Sequence, residues 1–415
     1  MAGRTTCMVM PAAGFIIITI LLAASTTTAD DSTPIPADGS QVGSWFDNNV
    51  KPLAECKGAL DAALVTAEDS PKLIKVMKDG SGNFKTLTDA INSIPQRNTK
   101  RVVVYIGGGV YNEKINIPQN KPFVTLYGSP KNMPTLMFDG TAEKYGTVYS
   151  GTLIVESDYF RAANIIVTNS APEPDGIRSG AQAVALQISG DKAAFYNCKF
   201  IGFQDTLYDY KGLHFFKDCY IEGTVDFIFG KGKSLYLNTE IHVLERNITV
   251  ITAQQRDALE DNGFSFVHCK ITGTKYVRGT YLGRALGSSP TVVFAYTDMA
   301  NVVHPERWND FGHPERSNNM FYGEFQNSGP GSNISGQARY TKKLSDAEAK
   351  SFLNLGYIQG SKWLLPHLNT RSRHIYSFLE RPSPCKDIKS PSTFGVHYTS
   401  ILSLLFVAFF LFGSD

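Results

Sequence analysis

The length and composition of the chain indicate a folded protein rich in β-strands. With 415 residues, of which 42% are hydrophobic, the chain can bury a large core, and this excludes a mainly disordered protein. The 40 basic and 38 acidic residues nearly cancel, so the formal net charge of +2 excludes nucleic acid as the principal partner. The 19 Tyr, 26 Phe and 36 Gly are typical of an all-β protein with many turns.

Both ends of the chain carry apolar segments that predict targeting signals. Residues 1–29 contain an apolar run from Phe15 to Ala24 followed by small residues, which is the layout of a signal peptide for secretion. At the other end, a polar linker over 369–400 precedes a hydrophobic tail over 401–415. The tail is shorter than the roughly 20 residues of a spanning helix and closer to a lipid-anchor attachment signal. Contact with a membrane is expected only if the tail acts as such a signal.

Glycosylation sequons and cysteine usage fit a secreted chain. Asn247 and Asn333 each begin an Asn-Ile-Thr or Asn-Ile-Ser sequon, which predicts N-linked glycans there. One of the six cysteines, Cys7, lies in the predicted signal peptide, so an odd number remains and at least one thiol is unpaired or bonded to another chain. The sequence leaves open whether Cys198 and Cys219 form a disulfide or are buried thiols. No Cys/His spacing is typical of a zinc site, so neither a metal nor a cofactor is expected.

The first predicted segment is an N-terminal lead over residues 30–70. Its Pro, Ser, Thr, Gly and Asp content predicts a flexible start, and a short helix is expected between Trp45 and Ala67. The main domain is predicted over 71–368. The lead is too short to hold a further helical domain.

Two short helices are predicted near the ends of the main domain. The segment LIKVMKDGSGNFKTLTDAINSIP reads as a strand, a Gly-rich turn and a helix that Thr86 or Thr88 caps and Pro95 ends. The segment LSDAEAKSFLNLGYIQGSKWL predicts a helix that packs back as a cap for an open core.

Between these helices a strand-like unit recurs along the chain. The position taken as equivalent in each unit is occupied by Asn164, Cys198, Cys219, Thr239, Cys269 and Thr297, at intervals of 34, 21, 20, 30 and 28 residues. A short period lengthened by insertions is typical of a solenoid with loops on one side. Because each unit is too short to bury a face alone, the predicted fold is an all-β, right-handed parallel β-helix with short capping helices.

Asp205 and Asp226 are the candidate chemical groups. Apolar and aromatic residues surround each of them, and a carboxylate in such surroundings usually has a partner, a shifted pKa or a chemical role. They are 21 residues apart, the short period of the repeat, which predicts that they lie on neighbouring coils about 4.8 Å apart. Carboxylates this close share protons unequally, so the pair indicates acid/base or nucleophilic work. The structural alternative is two aspartates that cap turns.

Three further side chains are expected at the same place. Gln182 lies 22 residues before Gln204 in the same frame, so both amides are predicted to hold an oxyanion beside the aspartates. Arg284, in the segment YLGRALG, is the cation expected to keep one aspartate ionised and oriented.

Aromatic residues and histidines near the site have structural explanations as well. Tyr208 and Trp308 either line a substrate groove or belong to the core, and the sequence leaves this open. His214 and His268 are expected to be surface or hydrogen-bonded histidines rather than catalysts.

Six short motifs occur in order along the chain. They are VMKDGSGNFKT at 76–86, GVYNE at 109–113, QAVAL at 182–186, GFQDTLY at 202–208, DFIFG at 226–230 and LGRAL at 282–286. Over about residues 75–365 the chain resembles a plant pectinesterase, also called pectin methylesterase. Each motif alone is weak, but six in order with their spacing kept are specific to that family.

The resemblance implies a fold, a substrate and a role for each site residue. Its fold is the right-handed parallel β-helix, and its activity is the removal of methyl esters from homogalacturonan, or pectin, in plant cell walls, with release of methanol. By position, Asp226 is the implied nucleophile and Asp205 the implied proton donor and base. Gln204 and Gln182 are the implied oxyanion-binding amides.

The remaining implied contacts concern binding of the substrate. Arg284 is the residue that orients the nucleophile, and Thr152 in SGTLIV is implied to touch the substrate. The chain departs from the family pattern LGRPW, because Ala285 and Leu286 stand where the family has Pro and Trp. Since Leu286 cannot stack on a sugar ring as Trp does, we expect weaker or altered substrate binding with the chemistry retained.

Several rivals and partners follow from the same resemblance. Two carboxylates on such a solenoid also suit a polygalacturonase or pectate lyase. A pectin-binding wall protein with weak or no turnover is the alternative from another functional class. The form expected is a type without an N-terminal inhibitor-like pro-region, secreted to the cell wall and monomeric. A proteinaceous inhibitor is a further implied partner.

Overall fold

The chain folds into successive coils of short β-strands. The computed structural model describes residues 31–367 except 245, 247, 275–277 and 317. The predicted signal peptide, the glycan site at Asn247, Cys385, and the linker and tail beyond residue 368 lie outside the described residues. None of the helices in the described part combines the length and apolar character that crossing a bilayer requires.

The strands are runs of β-branched and aromatic residues that end at turn residues. For example, the strand Val102–Ile106 is followed by Gly107, and the strand Ala193–Tyr196 is followed by Asn197. In chain order the strands are β1 Lys72–Val76, β2 Val102–Ile106, β3 Gly109–Asn112, β4 Ile115–Ile117, β5 Val124–Gly128, β6 Pro134–Phe138, β7 Leu153–Val155, β8 Arg161–Ala163, β9 Ile166–Asn169, β10 Leu186–Ile188, β11 Ala193–Tyr196, β12 Lys199–Ile201, β13 Leu207–Asp209, β14 Leu213–Lys217, β15 Tyr220–Gly223, β16 Ile228–Gly230, β17 Lys233–Leu237, β18 Glu240–Val243, β19 Thr249–Gln254, β20 Gly263–Val267, β21 Lys270–Gly273, β22 Thr280–Ala285, β23 Thr291–Ala295, β24 Asp298–Met299, β25 Trp308–Asn309, β26 Phe321–Phe325 and β27 Thr341–Lys343.

Helices are short and lie near the ends of the described chain or in loops. The α-helices are α1 Val42–Asn49, α2 Leu53–Cys56, α3 Ala62–Glu68, α4 Leu87–Asn92, α5 Ala142–Tyr145 and α6 Asp346–Ala349. The 3₁₀ turns are Gly39–Gln41, Pro314–Arg316, Pro330–Ser332, Lys350–Phe352, Leu355–Ile358 and Gly360–Lys362.

The strands stack into three parallel sheets, so each coil contributes one strand to each sheet. The long sheet has the order β1-β2-β5-β8-β11-β14-β17-β20-β23-β26-β27. The site sheet, named for the predicted residues that it carries, has the order β25-β22-β19-β16-β13-β10-β7-β4. The third sheet has the order β24-β21-β18-β15-β12-β9-β6-β3. This confirms the predicted all-β parallel β-helix.

A ladder of stacked rings fills the core under the long sheet. Phe195, Phe216, Tyr236, Phe266 and Phe294 occupy the same position on successive coils. Their ring centroids are 4.7, 4.6, 4.4 and 4.5 Å apart from one pair to the next, with interplanar angles of 16° or less. Stacked pairs contribute about 0.5–1.5 kcal/mol each beyond their burial, so this ladder stabilises the coil stacking directly.

The predicted repeat positions are correct for the cysteines but wrong by one residue at Asn164. Cys198, Cys219 and Cys269 lie at one position on their coils and are buried free thiols, which agrees with small hydrophobes and not with a disulfide. Asn164 instead aligns with Asn197, whose side-chain amide donates to its Oδ1 at 2.8 Å. Both have left-handed backbones, with φ of 59° and 48°, a conformation that Asn tolerates well.

The first described residues pack on the long sheet. Ile35 is buried, and its N–H donates to the Leu353 carbonyl at 2.7 Å. Phe46 stacks on Phe215 with centroids 5.8 Å apart. The expected flexible start is therefore not what the structure shows for residues 31–44, because Ile35 bonds to Leu353 and the Pro36 carbonyl lies 2.7 Å from Nε2 of His268, just after β20.

The helix α4 and the C-terminal segment, both predicted near the ends of the main domain, pack at different places on the solenoid. Thr86 caps α4 as predicted, with its hydroxyl accepting from the Asp89 N–H, and the buried Leu87 and Ile91 join the core at the first coil. The C-terminal segment instead lies on the long sheet, where the Ser265 hydroxyl donates to the Phe352 carbonyl at 2.8 Å. The predicted helix is present as α6, and the segment packs back on the solenoid as predicted, but against the side of the long sheet.

A buried polar cluster ties three coils together next to the site sheet. His214 Nδ1 lies 2.5 Å from Asp209 Oδ1, and His214 Nε2 lies 3.0 Å from the Gly190 carbonyl. The Tyr236 hydroxyl donates to Asp209 Oδ2 at 2.6 Å. All three side chains are fully buried, so His214 is a hydrogen-bonded structural residue, as predicted.

Removal of the Asp209 carboxylate should therefore destabilise the fold. In Asp209→Ala, the polar groups of His214 and Tyr236 would be buried without their partner, and we expect the free energy of unfolding to fall by about 3 kcal/mol in urea titration. The control is Asp261→Ala, which removes an ion pair from Lys233 in which the Asp261 side chain is 93% exposed, and should cost about 1 kcal/mol or less. Equal losses in both variants would contradict the structural role of the cluster.

Candidate active site

Asp205 and Asp226 lie side by side just before β13 and β16. The pairing of Leu207 with Ile228 aligns residues that are 21 apart in sequence, so the two aspartates occupy equivalent positions on adjacent coils. Their backbones are left-handed, with φ of 65° and 51°, and the side chains are almost buried. Such backbone conformations are uncommon outside Gly and Asn and cluster at functional sites.

Arg284 on β22 binds Asp226 through two parallel hydrogen bonds. Its Nε donates to Asp226 Oδ1 at 2.7 Å, and its Nη2 donates to Oδ2. The two side chains are 14% and 8% exposed. A bidentate pair of this kind fixes the orientation of the Asp226 side chain, as predicted for Arg284.

Asp205 is placed to hold a proton. Burial raises its pKa well above 3.8, and the neighbouring Asp226 raises it further, while Arg284 lowers it less. Because Arg284 binds Asp226 and not Asp205, the two carboxylates face different surroundings. An ionised carboxylate beside a protonated one can combine nucleophilic attack with proton donation.

The two glutamines border the aspartates, although not in the predicted frame. The pairing of Leu186 with Leu207 again sets an offset of 21, so Gln182 aligns with Phe203 and lies one residue out of line with Gln204. Both glutamines are partly exposed. Their side-chain amides have no hydrogen-bonding partner within the described chain, so they are available to a ligand.

Thr152, which is implied to touch a substrate, lies inside the solenoid. Its side chain is fully buried, and its hydroxyl donates to the Thr168 carbonyl at 2.9 Å. The Thr152 hydroxyl is therefore engaged within the solenoid, and its implied contact with a substrate stays a prediction.

An aromatic cluster forms the floor of the site. Tyr208 and Phe229 stack with centroids 4.3 Å apart on the outer face of the site sheet, and Leu286 and Tyr210 pack at the edge of this cluster. Trp308, by contrast, is fully buried and stacks on Tyr322 at 4.2 Å. The sequence left open whether these two residues line a groove or belong to the core. Tyr208 points outward from the site sheet, whereas Trp308 points into the core.

Phe311 is a site residue that the sequence did not reveal. Its ring centroid lies 4.1 Å from Arg284 Cζ, and the residue is 53% exposed. Its N–H donates to Asn309 Oδ1 at 2.6 Å, and its backbone is left-handed, with φ of 55°. No periodicity marks this loop position, and an aromatic residue in the segment WNDFG is the only signal that could have drawn attention to it.

Other predicted sites are more peripheral. Asn333 lies in an exposed loop, where its Oδ1 accepts from the Ser335 N–H at 2.9 Å. No group of three or more His, Cys, Asp or Glu residues suited to a metal ion occurs in the part of the chain that the structure describes.

The sequence matches a known family over most of the solenoid. The family model described as Pectinesterase matches residues 73–361. The chain belongs to the pectinesterase family. It is similar to Pectinesterase 1 of Olea europaea, with 54% identity over 341 residues that cover 81% of this chain and 92% of that relative.

Solved pectinesterase structures have the same architecture. The pectin methylesterase from carrot is 30% identical, with a TM-score of 0.67, and the match covers 71% of this chain and 95% of the carrot chain. A pectin methylesterase in complex with hexasaccharide VII is 26% identical, with a TM-score of 0.60, and the match covers 72% of this chain and 100% of that chain. The parallel β-helix of this pectinesterase is thus the fold of the family.

The raised pKa of Asp205 predicts how its replacement affects stability at different pH. The folded protein holds this proton more tightly than the unfolded chain, so ionisation penalises folding as the pH rises from about 4 towards the raised pKa. Asp205→Asn removes this penalty, and its stability relative to the unsubstituted protein should increase by up to about 1.4 kcal/mol per pH unit over that range.

Urea titrations from acidic to neutral pH measure this difference. Asp69→Asn, an isosteric change at an exposed residue remote from the site, is the control. A stability difference for Asp205→Asn that is flat across this range, or that shrinks as the pH rises, would contradict the raised pKa.

Proposed function

We propose that the protein is a secreted carboxylic ester hydrolase that removes methyl esters from homogalacturonan through an acyl-enzyme on Asp226. The observation that carries this proposal is the bidentate Asp226–Arg284 pair beside Asp205. It supplies an oriented carboxylate nucleophile and an adjacent acid on one accessible face. The names of the relatives, and the hexasaccharide in one solved pectin methylesterase, support pectin as the substrate.

The first half of the reaction forms the acyl-enzyme. An ionised oxygen of Asp226 attacks the carbonyl carbon of the methyl ester, and the carbonyl oxygen becomes an oxyanion. The free amides of Gln204 and Gln182 donate to this oxyanion. As the tetrahedral intermediate collapses, the bond to the methoxy group breaks and Asp205 gives its proton to the departing oxygen, which releases methanol.

The second half regenerates the enzyme. Asp205, now ionised, takes a proton from a water molecule that attacks the carbonyl carbon of the acyl-enzyme. The bond to Asp226 breaks, the galacturonate carboxyl group is released, and Asp205 is protonated again. Arg284 holds Asp226 in position in both halves. Every step is a proton or acyl transfer among these side chains and water, so the scheme uses no cofactor.

The cellular location is part of the proposal. The signal-like residues 1–29 and the Asn333 sequon support secretion to the cell wall, where pectin is found. Attachment through the tail over 401–415 would retain the enzyme at the membrane surface.

Loss of either aspartate should abolish ester hydrolysis. In Asp226→Asn and in Asp205→Asn we expect methanol release from methylated pectin to fall by about 10³-fold or more, because one changes the nucleophile and the other the acid. Circular dichroism should show a folded protein in both, and Asp69→Asn should retain full activity.

A parallel assay of chain length distinguishes the rival enzymes. A polygalacturonase or pectate lyase would shorten the polymer without releasing methanol. Normal methanol release in either aspartate variant would overturn the assignment.

Substitutions at Phe311 and at Leu286 should change the affinity for pectin in opposite directions. Phe311→Ala removes the ring that covers Arg284 and faces solvent, so we expect KM for pectin to rise about threefold to tenfold. Leu286→Trp adds a flat face at the edge of the Tyr208 cluster, so KM should fall by a similar factor. Steady-state methanol release measures both.

The variants Phe311→Ala and Leu286→Trp also test the alternative of a pectin-binding protein with weak turnover. A protein of that kind would show low kcat that Leu286→Trp restores. An unchanged KM in both variants would show that neither position contacts the polymer.

A further inference from the structure

Two lysines share one tyrosine ring near the β4 end of the site sheet. Lys114 Nζ lies 3.9 Å from the Tyr145 ring centroid, and Lys144 Nζ lies 5.2 Å from the same centroid. Lys114 also donates to the Tyr149 carbonyl at 2.5 Å. Tyr149 itself is 56% exposed, so a cationic and aromatic surface formed by these four residues faces solvent. We call it the lysine–tyrosine patch.

The patch lies on the same rim as the catalytic groups. Lys114 directly precedes β4, and the pairings of β4 with β7, β7 with β10 and β10 with β13 place it three coil steps from Asp205. At about 4.8 Å per step this is about 14 Å along the solenoid. The loop that carries Tyr145 contacts the site directly, because the Ala142 N–H donates to the Gln182 carbonyl at 2.8 Å.

Neither Lys114 nor Lys144 forms an ion pair with a carboxylate in the described part of the chain. Burial lowers the pKa of Lys114, Tyr145 raises it and Lys144 lowers it, and no carboxylate contributes. Glu113, next to Lys114 in sequence, is engaged elsewhere, because its carboxylate accepts from the N–H groups of Leu87 and Thr88 at the start of α4. Glu143, next to Lys144 in sequence, is an exposed residue in the first turn of α5. Two cations on one ring repel each other, and an anion bound between them would relieve this repulsion.

We propose that the lysine–tyrosine patch is a subsite for the free carboxylate of a galacturonate residue in the chain that is bound at Asp226. The two ammonium groups would bind the carboxylate, and the exposed Tyr149 ring would contact the sugar. The inference rests on the proposed function, because it assumes that a pectin chain lies along the site sheet. A methyl ester carries no charge, so the patch distinguishes demethylated from methylated residues.

A consequence concerns the order in which esters are removed. Each turnover at Asp226 converts a neutral ester into the carboxylate that the patch binds. A partly demethylated chain is therefore the better substrate for this enzyme, and its own product strengthens binding of the remaining chain.

The test replaces both lysines and compares two pectins. In Lys114→Gln/Lys144→Gln we expect KM for weakly methylated pectin to rise about threefold to tenfold at low salt, with kcat unchanged. KM for highly methylated pectin should stay within about twofold, because that polymer offers few carboxylates to the patch. The difference should diminish at high salt, where exposed charges are screened.

Two further variants serve as controls. Lys72→Gln/Lys100→Gln removes the same charge from exposed positions at the β1 end of the long sheet and should leave the preference between the pectins intact. Lys114→Arg/Lys144→Arg keeps the charge and should retain the preference. Equal changes in KM for both pectins, or no change for either, would overturn the subsite.

The experiments distinguish failure of the ester hydrolase proposal from failure of the subsite proposal. If the unsubstituted protein releases no methanol, the ester hydrolase proposal falls. Calorimetric titration with a fully demethylated galacturonate oligomer then still tests the patch, because binding should weaken about threefold to tenfold in Lys114→Gln/Lys144→Gln. Unchanged affinity in that titration overturns the subsite by itself.

Discussion

Parallel hydrogen bonding between consecutive coils, kept in register, is the constraint on which both the core and the site depend. Side chains alternate across a strand, so a slip by one residue would turn the outward set inward. The register that pairs Leu207 with Ile228 also puts Asp205 beside Asp226. On the other side of the same coils, the register that pairs Phe216 with Tyr236 stacks their rings in the core. Packing of the core thus stabilises the arrangement that chemistry requires.

The Asp209–His214 pair and the Asp226–Arg284 pair have different purposes. Asp209 and His214 are completely enclosed, and with Tyr236 they connect neighbouring coils. Asp226 and Arg284 retain some exposure, so a substrate can reach the carboxylate. Arg284 comes from β22, two coil steps from β16, and its length allows it to cover that distance. A shorter cation at this position could not orient the nucleophile.

In the proposed function, several modest contacts would hold a polymer on this face. Leu286 packs against the Tyr208 cluster and offers no flat ring, whereas Phe311 covers Arg284 and exposes its own ring. The lysine–tyrosine patch adds charge three coils away. Each contact is worth little alone, and a long chain that reaches all of them gains their sum.

The sequence by itself determined the coil architecture, the family, and the pairing of Asp205 with Asp226. The architecture and the aspartate pair follow from a short period of 21 residues, and the family follows from the order of the motifs. When adjacent coils have this short period, their strands can pair in one register only. Where a longer loop intervenes, the period no longer applies, and the equivalence at Asn164 was wrong by one residue. The equivalence of Gln182 with Gln204 was also wrong by one residue, because the two lie 22 residues apart and the coils there are offset by 21.

Only the tertiary structure decided which side chains are accessible. It buried Thr152 and Trp308, brought Phe311 over Arg284, and joined Ile35 to Leu353 in the C-terminal segment. It also placed Lys114 and Lys144 against the ring of Tyr145. Contacts of this kind join residues from different loops and coils, and loop conformation is set by what the loop packs against and not by local sequence pattern.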